Sequence, residues 1–575
     1  MKTNDAGLTD AVPGEEATRT GAMPALAPKL AAGIASGAAL IAGLTLVSRV
    51  LGLGRTLVFS QTVGSDCLGT VYVTAYQVPN LLSELVLAGA LTNAMVPVLA
   101  RSAQRAGIDP AARERVGQIS SAMLTWTVVI LVPIVVVVAA AAGPIAHVLN
   151  PSNASSHCVR SQMVSATSGM LEVFAPQVAL YGLSVVVFGM LQAYRRFTGP
   201  ALAPIVASLV LITSYAVFVP LDNGAVLGHA PASAVAVLSV GTTLSVAALV
   251  VVGLVPLRRL GLRLRPTLRF PAGLAGRVGG LALVGVLEFV ANDIAAVVVI
   301  VLANGHGETG ALVVFNYAAL VFNAVTAVLT LSITTSAFPV MSARDGEEFD
   351  RTCAGSTRAV LLLAWLGTAV IFAVALPAAR VLVHPDQQRQ LIEGFVAFAP
   401  GIAGTAVITN LSRVMFALSR LRVACVALTG NWVLVIGLDA ILTQFVPPRL
   451  EVAALALGNT LGQTAVAVPL ILITRRMQGK AAVSGAGYAA LAGFLACVMG
   501  CVAGVGVTSV LAPASSHGAS GKALDALVAV VAAICAVIAF GVVAFLLDRG
   551  DLRSLARQAW ARSARIGASG RHVIR

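Results

Sequence analysis

The chain has 575 residues, of which 58% are hydrophobic and 11% are charged, and its formal net charge is +14. Soluble globular domains typically carry about 25% charged residues, so the composition excludes an ordinary soluble protein and favours one large helical membrane domain. The basic residues do not gather on one amphipathic face, which argues against nucleic-acid binding. They lie at the ends of apolar stretches, as they do in membrane proteins.

Residues 1–29 are polar and of mixed charge, and we expect them to form a disordered cytoplasmic tail. About fourteen apolar stretches follow, each long enough for a helix to cross a bilayer, which needs about 20 residues. The chain is therefore predicted to be an all-α polytopic membrane protein. Its predicted spans are 34–63, 70–100, 116–143, 165–193, 198–219, 232–256, 278–302, 310–338, 356–379, 394–418, 423–445, 452–474, 486–511 and 523–547.

Lys and Arg crowd into every second gap between these spans. With the N-terminus inside, 30 of the 38 Lys and Arg residues fall in cytoplasmic gaps and tails. Five fall in outside gaps, namely Arg160, Arg380, Arg389, Arg449 and Lys522. Short loops rich in Lys and Arg stay in the cytoplasm, and a missed span would invert the bias beyond it. We therefore predict that both termini are cytoplasmic in a multi-pass protein of the cytoplasmic membrane.

Charged residues inside the spans are the first candidates for function, because a charge in lipid is costly unless it faces a partner or a wet cavity. The basic candidates are Arg49, Arg55 and Arg413, and the acidic ones are Glu84, Glu172, Glu288, Asp293 and Asp439. Arg49 lies about 15 residues into its span, near mid-depth at about 1.5 Å per residue, and we expect it to face a cavity. Arg55 either does the same or extends toward the interface.

Pro79 and Asn80 in the second span free a backbone carbonyl at membrane depth. Glu84 lies one turn further on, and our hypothesis is that it pairs with Arg49 or Arg55.

Asn292, Asp293 and Asp439 are candidates for a cation or proton site, or else serve only helix packing.

Cys67 and Cys158 both fall in outside gaps, where a disulfide can form, although we favour two free thiols. The seven cysteines show no metal-ligand spacing, and no nucleophile elbow or phosphate loop occurs. We therefore predict neither an enzyme nor a bound metal or cofactor.

Several short motifs occur in a fixed order along the chain. They are 45–55 (TLVSRVLGLGR), 78–82 (VPNLL), 89–91 (GAL), 96–97 (VP), 174–177 (FAPQ), 181–182 (YG), 191–193 (LQA), 196–197 (RF), 200–204 (PALAP) and 416–418 (FAL). Together they resemble the MurJ (MviN) family of lipid II flippases, which belongs to the MATE-like exporter superfamily. Arg49 and Arg55 match arginines of the family's first span, and Arg413 matches its tenth-span motif.

The resemblance implies two six-helix lobes around a central cavity, followed by a helix pair whose groove takes a lipid tail. The implied segments are the tail 1–29, the lobes 30–256 and 278–474, the basic linker 257–277 between them, the helix pair 475–547 and the basic tail 548–575. The implied contacts of the cargo are Arg49, Arg55, Asn80, Glu84 and Arg413.

Several positions depart from the family pattern, and three of them bear on the charge of the cavity. Ser83, followed by Glu84, stands where the family usually has a basic residue, Ala88 replaces a glutamate, and Leu320 falls at the position of an arginine. The cavity therefore lacks two cations and gains an acidic neighbour.

The resemblance implies a flippase that moves lipid-linked peptidoglycan precursor, lipid II, by alternating access. Its partners would be an anionic lipid of the undecaprenyl-pyrophosphate type, membrane lipids and cell-wall synthesis proteins. Two alternatives stay open: a paralogue that exports another lipid-linked glycan or amphiphile, and a non-transporting scaffold or regulator of cell-wall enzymes. Arg49 and Arg55 favour transport, while Ser83, Ala88 and Leu320 favour the two alternatives.

Overall fold

The computed structural model describes residues 27–86, 110–151, 158–194, 196–222, 227, 230–260, 265–268, 279–331, 333–334, 337–338, 341, 346–511 and 519–547. The regular structure within these ranges is helical throughout. Twelve helical segments in them are long and apolar enough to cross a membrane. The helices at the first two predicted spans are not among the twelve, so the count of fourteen and the orientation of the termini stay predictions. The predicted tail 548–575 and most of the predicted tail 1–29 lie outside the described residues.

The helices up to residue 260 pack mainly on one another, and we call them the N-terminal group. In chain order they are α1 (Ala27–Thr62), α2 (Cys67–Val86), α3 (Pro110–Ala140), α4 (Ala142–Leu149), α5 (Arg160–Phe174), α6 (Pro176–Ala193), α7 (Thr198–Asp222) and α8 (Ala232–Arg258). The predicted fourth span is thus two helices in line. Pro176 opens the second of them, where its missing N–H is tolerated.

The helices from residue 279 to residue 478 form a second set, which we call the C-terminal group. They are α9 (Gly279–His306), α10 (Ala311–Thr326), α11 (Gly346–Leu382), α12 (Gln388–Phe398), α13 (Gly401–Ala417), α14 (Leu421–Leu442) and α15 (Glu451–Gln478). Two further helices, α16 (Ala486–Leu511) and α17 (Ala519–Leu547), pack along α11.

Small residues allow these helices to approach closely. A Cβ on Gly504 of α16 would lie 2.3 Å from the Cβ of Ala373 on α11, and a Cβ on Gly462 of α15 would lie 2.5 Å from a methyl group of Val435 on α14. Such close packing stabilises the association of the helices, because the hydrophobic effect does not drive helices together within lipid.

Part of the predicted basic linker lies against α3. The backbone N–H of Arg265 donates to Ser121 Oγ at 2.9 Å, and that of Thr267 donates to Thr125 Oγ1 at 3.2 Å. Trp126 Nε1 donates to the carbonyl of Leu268 at 3.0 Å. The segment 265–268 therefore runs along residues 121–126 of α3 instead of hanging free between the groups.

The two groups meet at one end of the molecule, which we call the outer end because it carries the gaps that the charge pattern predicts to be outside. The helix pairs that join them are α2 with α9, α2 with α10, α4 with α9, and α1 with α11. One apolar cluster spans both groups there; its members include Val71, Ala75, Ile300, Leu312 and Val314. Toward the opposite end each group has its own core, around Met190 in the N-terminal group and around Met415 in the C-terminal group.

Polar contacts add to this apolar cluster, and we call the two together the outer contact. Gln77 Nε2 donates to Asn316 Oδ1 at 2.9 Å, and Asn304 Nδ2 donates to Thr74 Oγ1 at 3.0 Å. Ser65, in the turn between α1 and α2, donates its hydroxyl to the side-chain carbonyl of Gln387. The outer contact thus joins α1 and α2 to α9, α10 and the turn after α11.

A disulfide joins Cys67, the first residue of α2, to Cys158, just before α5. The expectation of two free thiols is therefore wrong. The bond holds together two elements of the N-terminal group beside the outer contact, where Cys158 Sγ lies 3.9 Å from Thr309 Oγ1 of the other group. Disulfides persist in oxidising compartments, which agrees with the outside position predicted for both cysteines.

Candidate functional site

Arg55 lies on α1, seven residues from its outer end, and points into a cluster of tyrosines in the N-terminal group. Its electrostatic neighbours are the phenols of Tyr72, Tyr76, Tyr181 and Tyr215. Among the described residues no carboxylate forms an ion pair with it. A half-buried guanidinium without an acidic partner keeps its donors for an anion, and arginine binds phosphate oxygens in a bidentate manner.

Hydrogen bonds and ring contacts hold the tyrosine cluster in place. Tyr72 OH lies 3.0 Å from Tyr215 OH and 2.8 Å from Thr242 Oγ1, which joins α2 to α7 and α8. Phe59, one turn beyond Arg55, packs on Tyr72 and Tyr215 with ring centroids 5.3 and 5.4 Å apart. Phe59, Tyr72 and Tyr215 form a wall behind Arg55 that these contacts hold rigid, and each of them is buried. Tyr76 and Tyr181 are half-buried.

A layer of polar residues lies deeper in the molecule. Arg49 on α1, Asn80 on α2 and Asp293 on α9 are each 13 residues from the outer end of their helices, which corresponds to about 20 Å. Arg49 is exposed, and Asn80 and Asp293 are half-buried. Because α2 packs against α9, both groups contribute polar side chains at this depth.

The structure does not form the predicted pair between Glu84 and Arg49 or Arg55. Glu84 accepts a long hydrogen bond from Asn80 Nδ2 at 3.5 Å, and its electrostatic neighbour is Asp293 of the other group. Asn292 Nδ2 in turn lies 3.5 Å from Asp293 Oδ1. Acidic side chains from both groups are therefore near enough at this depth to repel each other.

Arg413 lies apart from this layer. It is half-buried near the inner end of α13 and is flanked by Val414 and Met415, which belong to the inner core of the C-terminal group. The three predicted cationic residues are thus distributed over both groups, with two on α1 and one on α13.

Asp439 is separated from the other predicted ion candidates. It lies three residues from the outer end of α14, so it is about 15 Å nearer the outer end than Asp293. It is 1% exposed, and its electrostatic neighbour is Glu451, the fully buried first residue of α15. None of the four carboxylate oxygens has a hydrogen-bond partner among the described residues.

Glu451 was missed at the sequence level because it was assigned to an outside gap. A glutamate in the first turn of a helix is usually explained by the favourable helix dipole, so its type and position gave no reason to suspect it. The only available signal was that an apolar run begins directly after it. Within the described part of the chain, no group of three or more His, Cys, Asp or Glu residues is placed to hold a metal.

Comparisons with known proteins agree with this architecture. The family model described as "Lipid II flippase MurJ" matches residues 59–520. The lipid II flippase MurJ of Burkholderia cenocepacia is 28% identical over 179 residues, 31% of this chain and 33% of that protein. The probable lipid II flippase MurJ of Rhizobium tropici is 28% identical over 189 residues, covering 32% of this chain and 33% of that protein. The matched stretch thus spans about a third of the length of either relative.

Solved structures match over a longer stretch. "Lipid II flippase MurJ, inward closed conformation" superimposes with a TM-score of 0.65 at 14% identity, covering 86% of this chain and 97% of that chain. An inward-facing MATE family multidrug transporter of the MOP superfamily gives a TM-score of 0.61 at 14% identity, covering 76% of this chain and 96% of that chain. At this identity the likeness establishes the fold alone.

Proposed function

Because the chain belongs to the MurJ family, we propose that it moves a lipid-linked peptidoglycan precursor, lipid II, across the cytoplasmic membrane by alternating access. It acts as a transporter and not as an enzyme. The observation that carries the proposal, besides the family, is Arg55, a half-buried arginine that has no acidic partner among the described residues and stands on a rigid tyrosine wall. Such a side chain suits the pyrophosphate of an undecaprenyl-pyrophosphate lipid.

Arg55, Arg49 and Asn80 take the anionic headgroup as it enters between the groups. The two arginines share α1, about 9 Å apart along its axis, so a headgroup can pass from the deeper, exposed Arg49 to the half-buried Arg55. Arg413 on α13 lies near the inner end and attracts the anion at the entrance. Ala88 and Leu320 are uncharged where the family usually has a charged residue. In this scheme α1 therefore makes most of the contacts with the headgroup.

The arrangement of the cores supports alternating access. One apolar cluster joins the groups at the outer end, while each group has a separate core toward the inner end. Closely packed cores resist gradual deformation, so the groups move as bodies. The structure corresponds to a state that is closed on the predicted outside, and cargo loads from the cytoplasmic side.

We further propose that buried carboxylates couple transport to a cation or a proton. Asp439 and Glu451 form one candidate, because two buried acidic groups with no hydrogen-bond partner among the described residues are stable only if a positive charge neutralises them. Asn292 and Asp293 form the other, in the layer that the cargo passes.

A second candidate function is export of another lipid-linked glycan or amphiphile. Glu84 and Asp293 favour it, because two neighbouring carboxylates repel a purely anionic headgroup and attract one that also carries an amine. Cell-wall synthesis proteins are proposed as partners in either case.

Complementation tests the proposal. The chain is expressed in a bacterium whose own lipid II flippase can be depleted, with its membrane level held constant. We expect growth, loss of growth with Arg55→Ala or Arg49→Ala, and full growth with Arg420→Ala, which removes an exposed arginine outside the site. Failure of the wild-type chain at normal membrane levels would contradict lipid II transport, leaving another cargo or the scaffold alternative.

A further inference from the structure

The outer end of the C-terminal helix pair, α16 and α17, is fixed to the C-terminal group by a shielded ion pair. Asp525, in the second turn of α17, is 3% exposed, and its Oδ1 lies 3.5 Å from Nη1 of Arg380 in the last turn of α11. Screening by solvent is weak for such a pair. The first turns of α17 therefore have a defined position at the outer end of α11.

From that position the pair reaches across to the N-terminal group. Lys522, one turn before Asp525, donates from Nζ to the side-chain carbonyl of Gln61 in the last turn of α1. Gln61 also donates from Nε2 to the carbonyl of Val381 at 2.9 Å. One side chain of α1 is thus held by α11 and α17 together.

We propose that the C-terminal helix pair is a working part of the outer gate. Lys522 holds Gln61 while the outer contact is closed and must release it before the groups separate on the outside. The inference rests on the proposed alternating access. A hydrogen bond from an ammonium group is stronger than one between neutral groups, and Asp525 keeps Lys522 in place through Arg380. Lys522 is a positioning residue, because it acts through Gln61 and not on the cargo.

Accessibility of the outer contact tests the proposal without cargo. Ala75, fully buried in the apolar cluster that joins the groups, is replaced by cysteine as a reporter. A membrane-impermeant maleimide is added outside intact cells, and alkylation of the peptide that carries the reporter is quantified by mass spectrometry. We expect Lys522→Ala to speed alkylation about three- to tenfold, the range for loss of one partly exposed charged hydrogen bond.

Companion variants decide the cause. Gln61→Ala should speed alkylation at least as much, because it removes this bond and also the bond to the carbonyl of Val381. The double variant should be no faster than Gln61→Ala, because the bond between Lys522 and Gln61 is already lost in that variant. Lys522→Arg should restore a rate near that of the parent, since it keeps the charged donor. Lys480→Ala, which removes an exposed lysine at the inner end, should change nothing.

Unchanged alkylation in Lys522→Ala and Gln61→Ala, or strictly additive increases, would overturn the gate role. The result is separable from cargo identity, because labelling requires no cargo. Normal complementation with unchanged labelling refutes the gate role alone. Failed complementation with the expected labelling refutes lipid II as cargo alone.

Discussion

The side chain of Arg55 is surrounded by the aromatic rings and hydroxyl groups of tyrosines, whereas a buried arginine usually has a carboxylate beside it. Arginine cannot shed its charge in a protein, so the positive charge stays beside the tyrosine cluster of the N-terminal group. Asp439 presents the opposite case, since it faces a second acidic residue, Glu451. Neither the Arg55 guanidinium nor the two carboxyl groups have an oppositely charged partner among the described residues, which is why they are assigned to cargo and to ion.

Replacement of Arg55 should weaken cargo binding far more than it weakens folding. A charge-assisted hydrogen bond contributes about 1.5–3 kcal/mol, so Arg55→Ala should reduce affinity for an undecaprenyl-pyrophosphate lipid by about 10- to 150-fold. Arg55→Lys should recover part of the loss. Binding to purified protein in nanodiscs, followed by native mass spectrometry, measures this. Equal losses in Arg55→Ala and the control Arg420→Ala would contradict the assignment.

Gly458 tests the close approach of α14 and α15 beside Asp439. A Cβ at Gly458 would lie 1.9 Å from Asp439 Oδ1, whereas a Cβ at Gly437 on α14 meets nothing within 4 Å. Overpacking typically costs about 1–3 kcal/mol, so Gly458→Ala should lower the melting temperature in detergent by several degrees. Gly437→Ala should leave it unchanged or slightly raised, because alanine favours the helix. Equal melting temperatures for the two variants would show that the helices are not this close.

At the level of helices and turns, the outer contact depends on the turns at the ends of the helices, such as the one just before α10. Gly310, just before α10, has φ +86°, and a Cβ there would lie 2.1 Å from the carbonyl oxygen of Ser65 in the other group. Only glycine combines that conformation with so close an approach. A single methyl group added at Gly310 would therefore push α10 away from the turn between α1 and α2.

Gly310→Ala should open the outer contact. We expect faster alkylation of the Ala75→Cys reporter from outside than in the parent protein. The matched control is Gly346→Ala, because Gly346 also has a positive φ, +61°, but a Cβ there meets nothing within 4 Å. The control carries the same kind of backbone strain without the clash. Equal labelling of both variants would assign the effect to strain alone.

Loss of the disulfide should destabilise the N-terminal group. The bond closes a loop with a sequence separation of 91 residues, and the chain-entropy argument gives up to about 4.7 kcal/mol for a loop of roughly that length. Cys67→Ser should therefore lower the melting temperature by a few degrees, and Cys425→Ser, which removes a free cysteine, should not. A reducing agent should shift the parent protein and leave Cys67→Ser unaffected. A shift in both would mean that the reagent acts elsewhere.

Sequence patterns predicted the elements far better than the contacts between them. Apolar length located the helices, because a bilayer demands about 20 apolar residues per crossing. Residue type also singled out Arg55 and Asp439. The neighbours of a carboxylate depend on the rotation and depth of separate helices, which the sequence does not give. Neither the proximity of Asp439 to Glu451 nor that of Glu84 to Asp293 could therefore be predicted from the sequence. The disulfide between Cys67 and Cys158 was not predicted, because the two cysteines are 91 residues apart and the sequence does not show that they are close in space.

For the whole molecule, the central feature is that the two groups share one apolar cluster at the outer end and have separate cores toward the inner end. The described polar links between the groups, such as that from Gln77 to Asn316, lie on the same outer side. Exchange between this state and one closed on the inside would carry a headgroup past Arg49 and Arg55 without exposing it to lipid.

Transport of a lipid-linked pyrophosphate by purified protein tests this account most directly. The protein is reconstituted into vesicles that hold a fluorescent undecaprenyl-pyrophosphate disaccharide lipid, and transfer between leaflets is followed with an impermeant quencher. We expect transfer well above that of protein-free vesicles, loss of transfer with Arg55→Ala, and normal transfer with Arg420→Ala. Transfer no faster than in protein-free vesicles, with correctly inserted wild-type protein, would contradict the account.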